Sequence, residues 1–477
     1  MCATPVRSVS PRSAGERTDR RCAPPPSLGK CSRAAGREPF AVDGEASTSF
    51  ALNPGQLRRI AADIAVQKLS PVSLVRHYLN RIKQVERHVR CWCEVDTKGA
   101  LAVAREREEE AAQGRIRGPL HGIPIAIKDL IDVEGMRTRA GSATRAYVPQ
   151  AAADAEIVLA LRAQGAIILG KVHTTEFAFQ DPAPTRNPFN IDHTPGGSSS
   201  GSAAVVASGM LPAAVGTQTG ASVNRPAAYC GIAAFKPSSG SLSTWGVTPL
   251  APSYDTPGFF GWSMDDAAYL FEAVAPAFIV HRPATANRIY ILEDPHWSDA
   301  TREMLLATQE VVAACERAGH TVVRQRSPID FGWLFALQRT TMLYEASRAL
   351  HFLNQANTGI GDRLRAALDE GAGISRSRYL DERAKIEEMR RDLFLSVEDS
   401  ALFLWPAAPS TAPEGLNWTG DTKYISPWTA LGGPIATLPS GVAANGLPRA
   451  CILIAGPGND RLLCDVARRV ATQIAPA

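Results

Sequence analysis

Residues 195–222 constrain this chain more than any other stretch. They open on Pro195-Gly196-Gly197-Ser198-Ser199-Ser200-Gly201-Ser202, run through an Ala/Val-rich segment, and end on Gly216-Thr217-Gln218-Thr219-Gly220-Ala221-Ser222. A flexible linker accounts for one Gly/Ser-rich loop. Two such loops bracketing an apolar helical segment predict a buried site at which backbone N–H groups converge. Hydroxyls and free N–H groups at loop–helix junctions are what nucleophilic acyl transfer requires: an oxygen nucleophile and donors for the oxyanion.

Such a site needs a core to hold it. The chain has 477 residues, 45% of them apolar and 21% charged, which suits one to three globular domains and excludes wholesale disorder. Lys and Arg total 51 against 47 Asp and Glu, a net +4, too balanced for nucleic-acid binding by bulk electrostatics. No apolar run is long enough to span a membrane. Residues 1–48 differ from the rest: Arg-rich, acid-poor, with Pro24-Pro25-Pro26 and no apolar h-region, they predict a disordered basic extension, read as an over-long start of the frame rather than a secretory signal. Nine cysteines without a CxxC, and histidines without an HExxH pair, predict reduced thiols in a cytoplasmic protein with no metal and no cofactor.

Element signals alternate along the remainder. Asn53-Pro54 with Gln56, and then Ser70-Pro71, read as helix starts; Leu74, Val75, Tyr78, Leu79, Ile82 and Val85 recur at helical spacing. A third helix is expected from about Lys98 to Ala112, with Arg105–Glu110 as a solvated face, a further one over Glu156–Gln164 and a closing one near Asp460–Ile474. Strands are expected at 123–127, 166–169, 402–404, 435–438 and 451–454. Strands alternating with helices predict an α/β fold forming one domain over 49–477, mostly helical from about 265 to 400, where it would supply the variable wall of a pocket.

Isolated motif matches carry little. Gly197-Ser198-Ser199-Ser200-Gly201 fits the G-x-S-x-G nucleophile elbow, but the preceding Asn190–Pro195 is no strand. Gly165–Lys171 mimics a P-loop with Val172 in place of Ser/Thr, and Ser27-Leu28-Gly29-Lys30 lies in the basic extension.

Several segments taken together do carry a resemblance. His121-Gly122-Ile123-Pro124-Ile125-Ala126-Ile127-Lys128-Asp129, the two Gly/Ser loops, Arg225-Pro226-Ala227-Ala228-Tyr229-Cys230-Gly231, Phe235-Lys236-Pro237 and Asp255-Thr256-Pro257-Gly258 follow one another in the order and spacing of the amidase signature family. The resemblance is strongest over about 115–265 and extends more weakly over 50–477. It implies a single α/β domain with a central mixed sheet covered by helices on both faces. It further implies an amidase acting on linear amides through a Ser–Ser–Lys triad: Ser222 as nucleophile, Ser198 as the bridging serine on a cis peptide, Lys128 as base. The oxyanion hole would fall on the backbone N–H groups of Thr219, Gly220, Ala221 and Ser222, with Ser199 a supporting hydroxyl.

The chemistry is coherent residue by residue. A serine hydroxyl is a weak nucleophile at neutral pH and needs a base. Lys128 ends an apolar strand, where desolvation disfavours its charge, and its pKa must fall by about 3 from roughly 10.4 to serve. Taken alone, Lys128 reads as a structural ion-pair partner of Asp129 or another acid, a reading that the full constellation reverses, and His121 or His193 could approach in space. The chain departs from the family pattern at Gln218, where Asp is common, at Ala221 for Gly, at Asn224 for Arg and at Ile452 for Gln. Gln218 with Asn224 predicts a lost ion pair replaced by neutral hydrogen bonds, with Arg225 a partial substitute for the guanidinium, and Ala221 requires a negative φ.

Competing readings are a carbamate or ester hydrolase, the glutamine-hydrolysing subunit of a tRNA-dependent amidotransferase, and a non-catalytic scaffold, whose signature would be loss of Lys128, Ser198 or Ser222. With no charged cluster flanking the motifs, the sequence predicts a small-molecule, mostly uncharged amide, no nucleic-acid or membrane partner, and a homodimer on base rates. Tyr229, Trp245, Tyr254, Tyr344, Trp418 and Trp428 are candidates for the acyl pocket.

Overall fold

Short β-branched runs ended by glycine or proline become strands of one sheet, and the computed structural model describes them within residues 56–275, 288–354 and 359–474. The Asn53 cap and the 1–48 extension lie outside the described residues. In chain order the strands are β1 Trp92–Val95, β2 Pro124–Lys128, β3 Ile167–Val172, β4 Ala213–Gln218, β5 Ala233–Lys236, β6 Thr256–Gly261, β7 Arg288–Glu293, β8 Thr321–Arg326, β9 Leu402–Pro406, β10 Ile435–Val442 and β11 Pro448–Ala455. They order as β1-β3-β2-β4-β6-β5-β10-β11-β9-β7-β8. Strand β2 runs parallel to both β3 and β4, and β7 to β8 and β9, while β4–β6, β5–β6, β5–β10, β10–β11 and β9–β11 are antiparallel.

The period-2 geometry of a strand divides the interior in two. On β11, Cys451, Leu453 and Ala455 enter one hydrophobic core while Ala450, Ile452 and Ile454 enter another; on β9, Leu402 and Leu404 separate in the same way from Phe403 and Trp405. Helices Met264–Val274, Arg302–Arg317 and Asp460–Gln473 fill the first core. Phe331–Ala349, Arg376–Leu395 and Ser426–Ala430 fill the second. The sheet is therefore covered by helices on both faces, the mixed α/β architecture expected.

The helix signals are realised locally. Ser70 Oγ accepts from Ser73 N–H at 3.1 Å, Pro71 opens the helix Pro71–Val89, and the six apolar positions named above are buried along it. Asp96 caps Thr97–Ala112 through Gly99 N–H at 2.8 Å. The charged face of that helix is not uniformly solvated: Arg107 is buried and pairs with Glu110. The stretch 265–400 holds two strands besides its helices. Ile289–Leu292 of β7 is buried on both faces, a pattern whose continuous apolar run does not distinguish a strand from a buried helix.

One charge arrangement bears directly on Lys128. Asp129 does not pair with it. It pairs with Lys171 of β3 at 3.1 Å, both side chains being fully buried, while Lys171 Nζ also donates to Thr138 Oγ1 at 3.1 Å. The apparent P-loop lysine is thus half of a structural ion pair. Removing one partner of a buried pair strands the other charge in low dielectric. Asp129→Ala is expected to destabilise the protein by about 3–5 kcal/mol in chemical denaturation, and Asp129→Ala/Lys171→Met to recover most of that loss.

Candidate active site

Lys128 is the last residue of β2, between β3 and β4, and has no accessible surface. Its Nζ lies 2.7 Å from Ser198 Oγ, 2.8 Å from Thr217 Oγ1 and 3.3 Å from Thr217 O. Among the described residues no carboxylate lies within ion-pair distance of it. Desolvation pushes its pKa well below the ordinary lysine value, and the more distant Asp255 carboxylate opposes this only in part. A neutral amine can accept a proton from Ser198 while donating to Thr217.

Ser198 reaches this lysine from the first Gly/Ser loop. The Gly197–Ser198 peptide is cis. Ser198 O accepts from Thr175 N–H at 3.1 Å, and Ser199 N–H donates to Ser222 O at 3.3 Å, so the two serine loops are tied to each other. The helix that follows, Ser200–Ala207, is buried on every side, which its small residues permit. A Cβ at Gly201 would stand 2.6 Å from His173 N and 2.7 Å from Cys91 O, so only glycine lets this helix approach β1 and β3 so closely. Ser199 Oγ donates to Thr217 O at 3.0 Å and is fully buried, held between backbone groups rather than displayed as an elbow nucleophile. It shares the Thr217 carbonyl with Lys128.

Ser222 and its three predecessors line a cavity of about 490 Å³. Among the described residues nothing accepts from the N–H groups of Gly220, Ala221 or Ser222, so these donors are left for a ligand. Side chains from far along the chain hold this strip. Thr219 Oγ1 donates to Asp255, whose other carboxylate oxygen accepts from Leu250 and Ala251 N–H. Thr429 Oγ1 donates to Gly220 O, and Gln338 Nε2 reaches Thr219 O at 3.4 Å. Ala221 is not among the residues with positive φ, so its methyl is accommodated.

The departures from the family pattern resolve into neutral hydrogen bonds. Gln218 Oε1 accepts from Val223 N–H at 2.8 Å and Asn224 N–H at 3.1 Å, and its Nε2 donates to Thr429 Oγ1 at 3.0 Å. Asn224 Nδ2 bonds Ile435 O and Thr437 Oγ1. Arg225 does not stand in for a guanidinium beside Gln218: it points to Gly197 O at 2.6 Å, Thr419 Oγ1 at 3.1 Å and Gly420 O. Neither histidine joins the site. His121 bonds Arg107 O and Arg117 N, and His193 bonds Ala412 O.

Of the six candidate pocket aromatics only Trp418 lines the cavity. Tyr229, Tyr254 and Trp428 are core residues, Trp245 faces solvent and Tyr344 stacks on Tyr379. Phe179 and Phe335 take their place, with Gln338, Met342 and Leu343 from the helix Phe331–Ala349. No motif marks them, since helical spacing alone does not say which face of that helix meets a cavity rather than a core. Thr429 is equally unmarked, while Thr217 and Asp255 lie inside the motif segments without being singled out as site residues. Asp255 before β6 is the most legible of them, as an acid next to an apolar strand.

Comparisons with known proteins agree with this geometry. A family model described as Amidase matches residues 73–464. The chain is 40% identical over 237 residues to a glutamyl-tRNA(Gln) amidotransferase subunit of Acidothermus cellulolyticus, covering 48% of this chain and 46% of that protein. It thus spans about half the length of the curated relatives of that name. It is 31% identical over 444 residues to "Putative amidase AmiA2" of Mycobacterium tuberculosis, covering 83% of this chain and 88% of the relative. Among solved structures, the peptide amidase from Stenotrophomonas maltophilia superposes with a TM-score of 0.76 at 27% identity, covering 89% of this chain and 98% of the other. A structure described as an amidase gives 0.80 at 27% identity, covering 88% and 100%. With its mixed sheet, its paired serine loops and a family match over most of its length, the chain belongs to the amidase signature family.

Proposed function

We propose that this chain hydrolyses a carboxylic acid amide to the acid and ammonia or an amine, with Lys128, Ser198 and Ser222 as the catalytic residues. The observation that carries the reading is the 2.7 Å contact between Ser198 Oγ and a fully buried Lys128 that lacks a counter-ion among the described residues. In the proposed sequence Ser222 Oγ attacks the amide carbonyl and its proton passes to Ser198, whose own proton passes to Lys128. The carbonyl oxygen becomes an oxyanion facing the N–H groups of Thr219, Gly220, Ala221 and Ser222. Lys128 then returns a proton through Ser198 to the leaving nitrogen as the C–N bond breaks. A water molecule attacks the acyl-Ser222 ester by the same relay, releasing the acid and restoring the serine. Ser199 steadies Thr217, and through it Lys128.

A second reading is supported by the relatives named as glutamyl-tRNA(Gln) amidotransferase subunits: the same chemistry would release ammonia from glutamine inside a complex. Purification from the native source separates the two, since that reading requires partner proteins at fixed stoichiometry. Ester and carbamate hydrolysis would use the same residues, and a substrate panel ranks the three bonds.

A fluorophosphonate probe is expected to label Ser222, as mapped by peptide mass spectrometry. Lys128→Ala should abolish labelling, and Ser198→Ala should lower kcat by about 10²–10⁴-fold, the range for loss of a general acid–base relay. An unlabelled Ser222 in the folded protein would return the chain to the scaffold reading. The depressed Lys128 pKa sets a second expectation. Between the folded value and the ordinary lysine value, the unfolded chain binds the extra proton, so stability rises with pH across that interval and kcat/KM rises with pH through the folded value. Lys128→Met should remove that rise in stability, measured by denaturant titration at stepped pH.

A further inference from the structure

Three aromatic side chains from distant parts of the chain converge on the Ser222 cavity: Phe179 after β3, Phe335 from the helix Phe331–Ala349 and Trp418 after β9. Elsewhere on this side of the sheet the rings satisfy one another, as Phe331 does with Trp405 at 4.7 Å and Phe403 with Trp428 at 5.1 Å between centroids. The three cavity rings do not. Phe335 has His296 beside it at 5.9 Å, while Phe179 and Trp418 make no ring contact among the described residues. Trp418 is 48% exposed, and Phe179 and Phe335 are only partly buried. Apolar ring surface left bare in a concave site is surface that a ligand of like character would take from water.

The backbone around Phe179 is built to put it there. Phe177 and Ala178 are successive non-glycine residues with positive φ, 45° and 61°, a conformation that costs free energy and persists where the surroundings impose it. The turn they make sends Phe177 into a core and Phe179 to the cavity, and Thr175 Oγ1 closes it by donating to Phe179 O at 2.7 Å. Phe335 stands on one helical stripe with Gln338, Arg339 and Met342. The helix Asp362–Ala372, packed on the same helix, lines the cavity with the methyl groups of Ala366 and Ala367 and leaves room beside the rings. Trp418 is fixed by the residues that follow it, since Thr419 Oγ1 and Gly420 O both accept from Arg225. The rim charges are turned to each other or to backbone: Arg339 pairs with Glu370, and Arg363 donates to Gln180 O at 3.1 Å.

We infer that Phe179, Phe335 and Trp418 form a subsite for an aromatic ring, so that the preferred substrates are aryl-bearing amides rather than short aliphatic ones. This inference rests on the amide-hydrolase reading above and narrows the uncharged amide that the sequence predicts. A cavity of about 490 Å³ is larger than a short aliphatic amide fills. Three separate rings and the Met342 thioether offer an aryl group ring–ring and sulfur–ring contacts that a saturated ring of the same size does not gain. The sequence points to Trp418 alone of the three, because Phe179 and Phe335 become neighbours of Ser222 only in the folded chain.

The test compares kcat/KM within matched pairs whose methylene spacers keep the ring's electronics off the reacting bond. For a ring on the acyl side the pair is 3-phenylpropionamide and 3-cyclohexylpropionamide; for one on the amine side it is N-benzylacetamide and N-(cyclohexylmethyl)acetamide. Wild-type protein is expected to favour the aryl member of at least one pair by about threefold or more, mainly through KM, and the pair that shows it assigns the ring to its side. Trp418→Ala should lower that preference by raising KM for the aryl amide, and Trp418→Phe should keep part of it. Trp245→Ala, at an exposed indole outside the cavity, should leave it intact. Equal efficiency within both pairs, or a preference undiminished in Trp418→Ala, overturns the subsite while leaving the hydrolase reading intact. Failure of every amide together with an unlabelled Ser222 overturns both. If Ser222 is labelled but no amide turns over, protection from the fluorophosphonate decides. An aryl amide should then protect Ser222 at about one-third or less of the concentration its cyclohexyl counterpart needs, and equal protection overturns the inference.

Discussion

A lysine without a counter-charge at the end of a central strand sets the terms for everything around it. Lys128 is surrounded by hydroxyl and carbonyl oxygens and reached by no acid among the described residues, so its neutral form is favoured by burial. That condition survives only because the adjacent Asp129 is occupied by Lys171 from the next strand. Exchanging those partners would give Lys128 an ordinary buried ion pair and hold it charged. The register of β2 against β3, which sets Lys128 opposite Val172 and Ile127 opposite Lys171, is thus as much a part of the site as the serines.

The second condition is close approach. The serine loops meet because Ser200–Ala207 is small on every side and Gly201 lets it lie against the β1 and β3 backbones. At Gly216 a Cβ would stand 2.6 Å from Ser199 Oγ, so glycine there admits the hydroxyl that steadies Thr217. The sheet separates these requirements from bulk stability. One face packs a largely aliphatic core, and the other an aromatic cluster of Trp405, Trp428, Phe331 and Phe403, with the cavity on that second side against the helix Phe331–Ala349.

Much of this is legible in the residues themselves, and the illegible part has a common cause. The helix Pro71–Val89 announces itself through a capping serine, a proline and six spaced apolar residues, and strands such as Ile435–Val442 through β-branched runs. The positions of Lys128, Ser198 and Ser222 follow from motif order. Strand β7 is harder because a short run buried on both faces has no polar alternation, and β8 because it is an edge strand partly exposed along its whole length. Thr217, Asp255, Gln338 and Thr429 are not legible as site residues because their importance lies in what they meet across more than thirty residues of chain. The same holds for the neutral network at the start of the helix Asn224–Tyr229. Gln218 and Asn224 suggest it, but the partners Thr429, Ile435 and Thr437 come from elsewhere.

The brace on Gly220 has a consequence for the order in which the molecule is made. Lys128, Ser198 and Ser222 have all been synthesised some two hundred residues before Thr429, the hydroxyl that holds the Gly220 carbonyl and Gln218 together. Asn224 likewise waits for Ile435 and Thr437 of a strand that enters the middle of the sheet. A growing chain on the ribosome carries Lys128, Ser198 and Ser222 without the frame that fixes the Gly220–Ser222 strip at the cavity. Completion of the cavity wall beside Ser222 is therefore a late event of translation, set by the order in which the chain emerges.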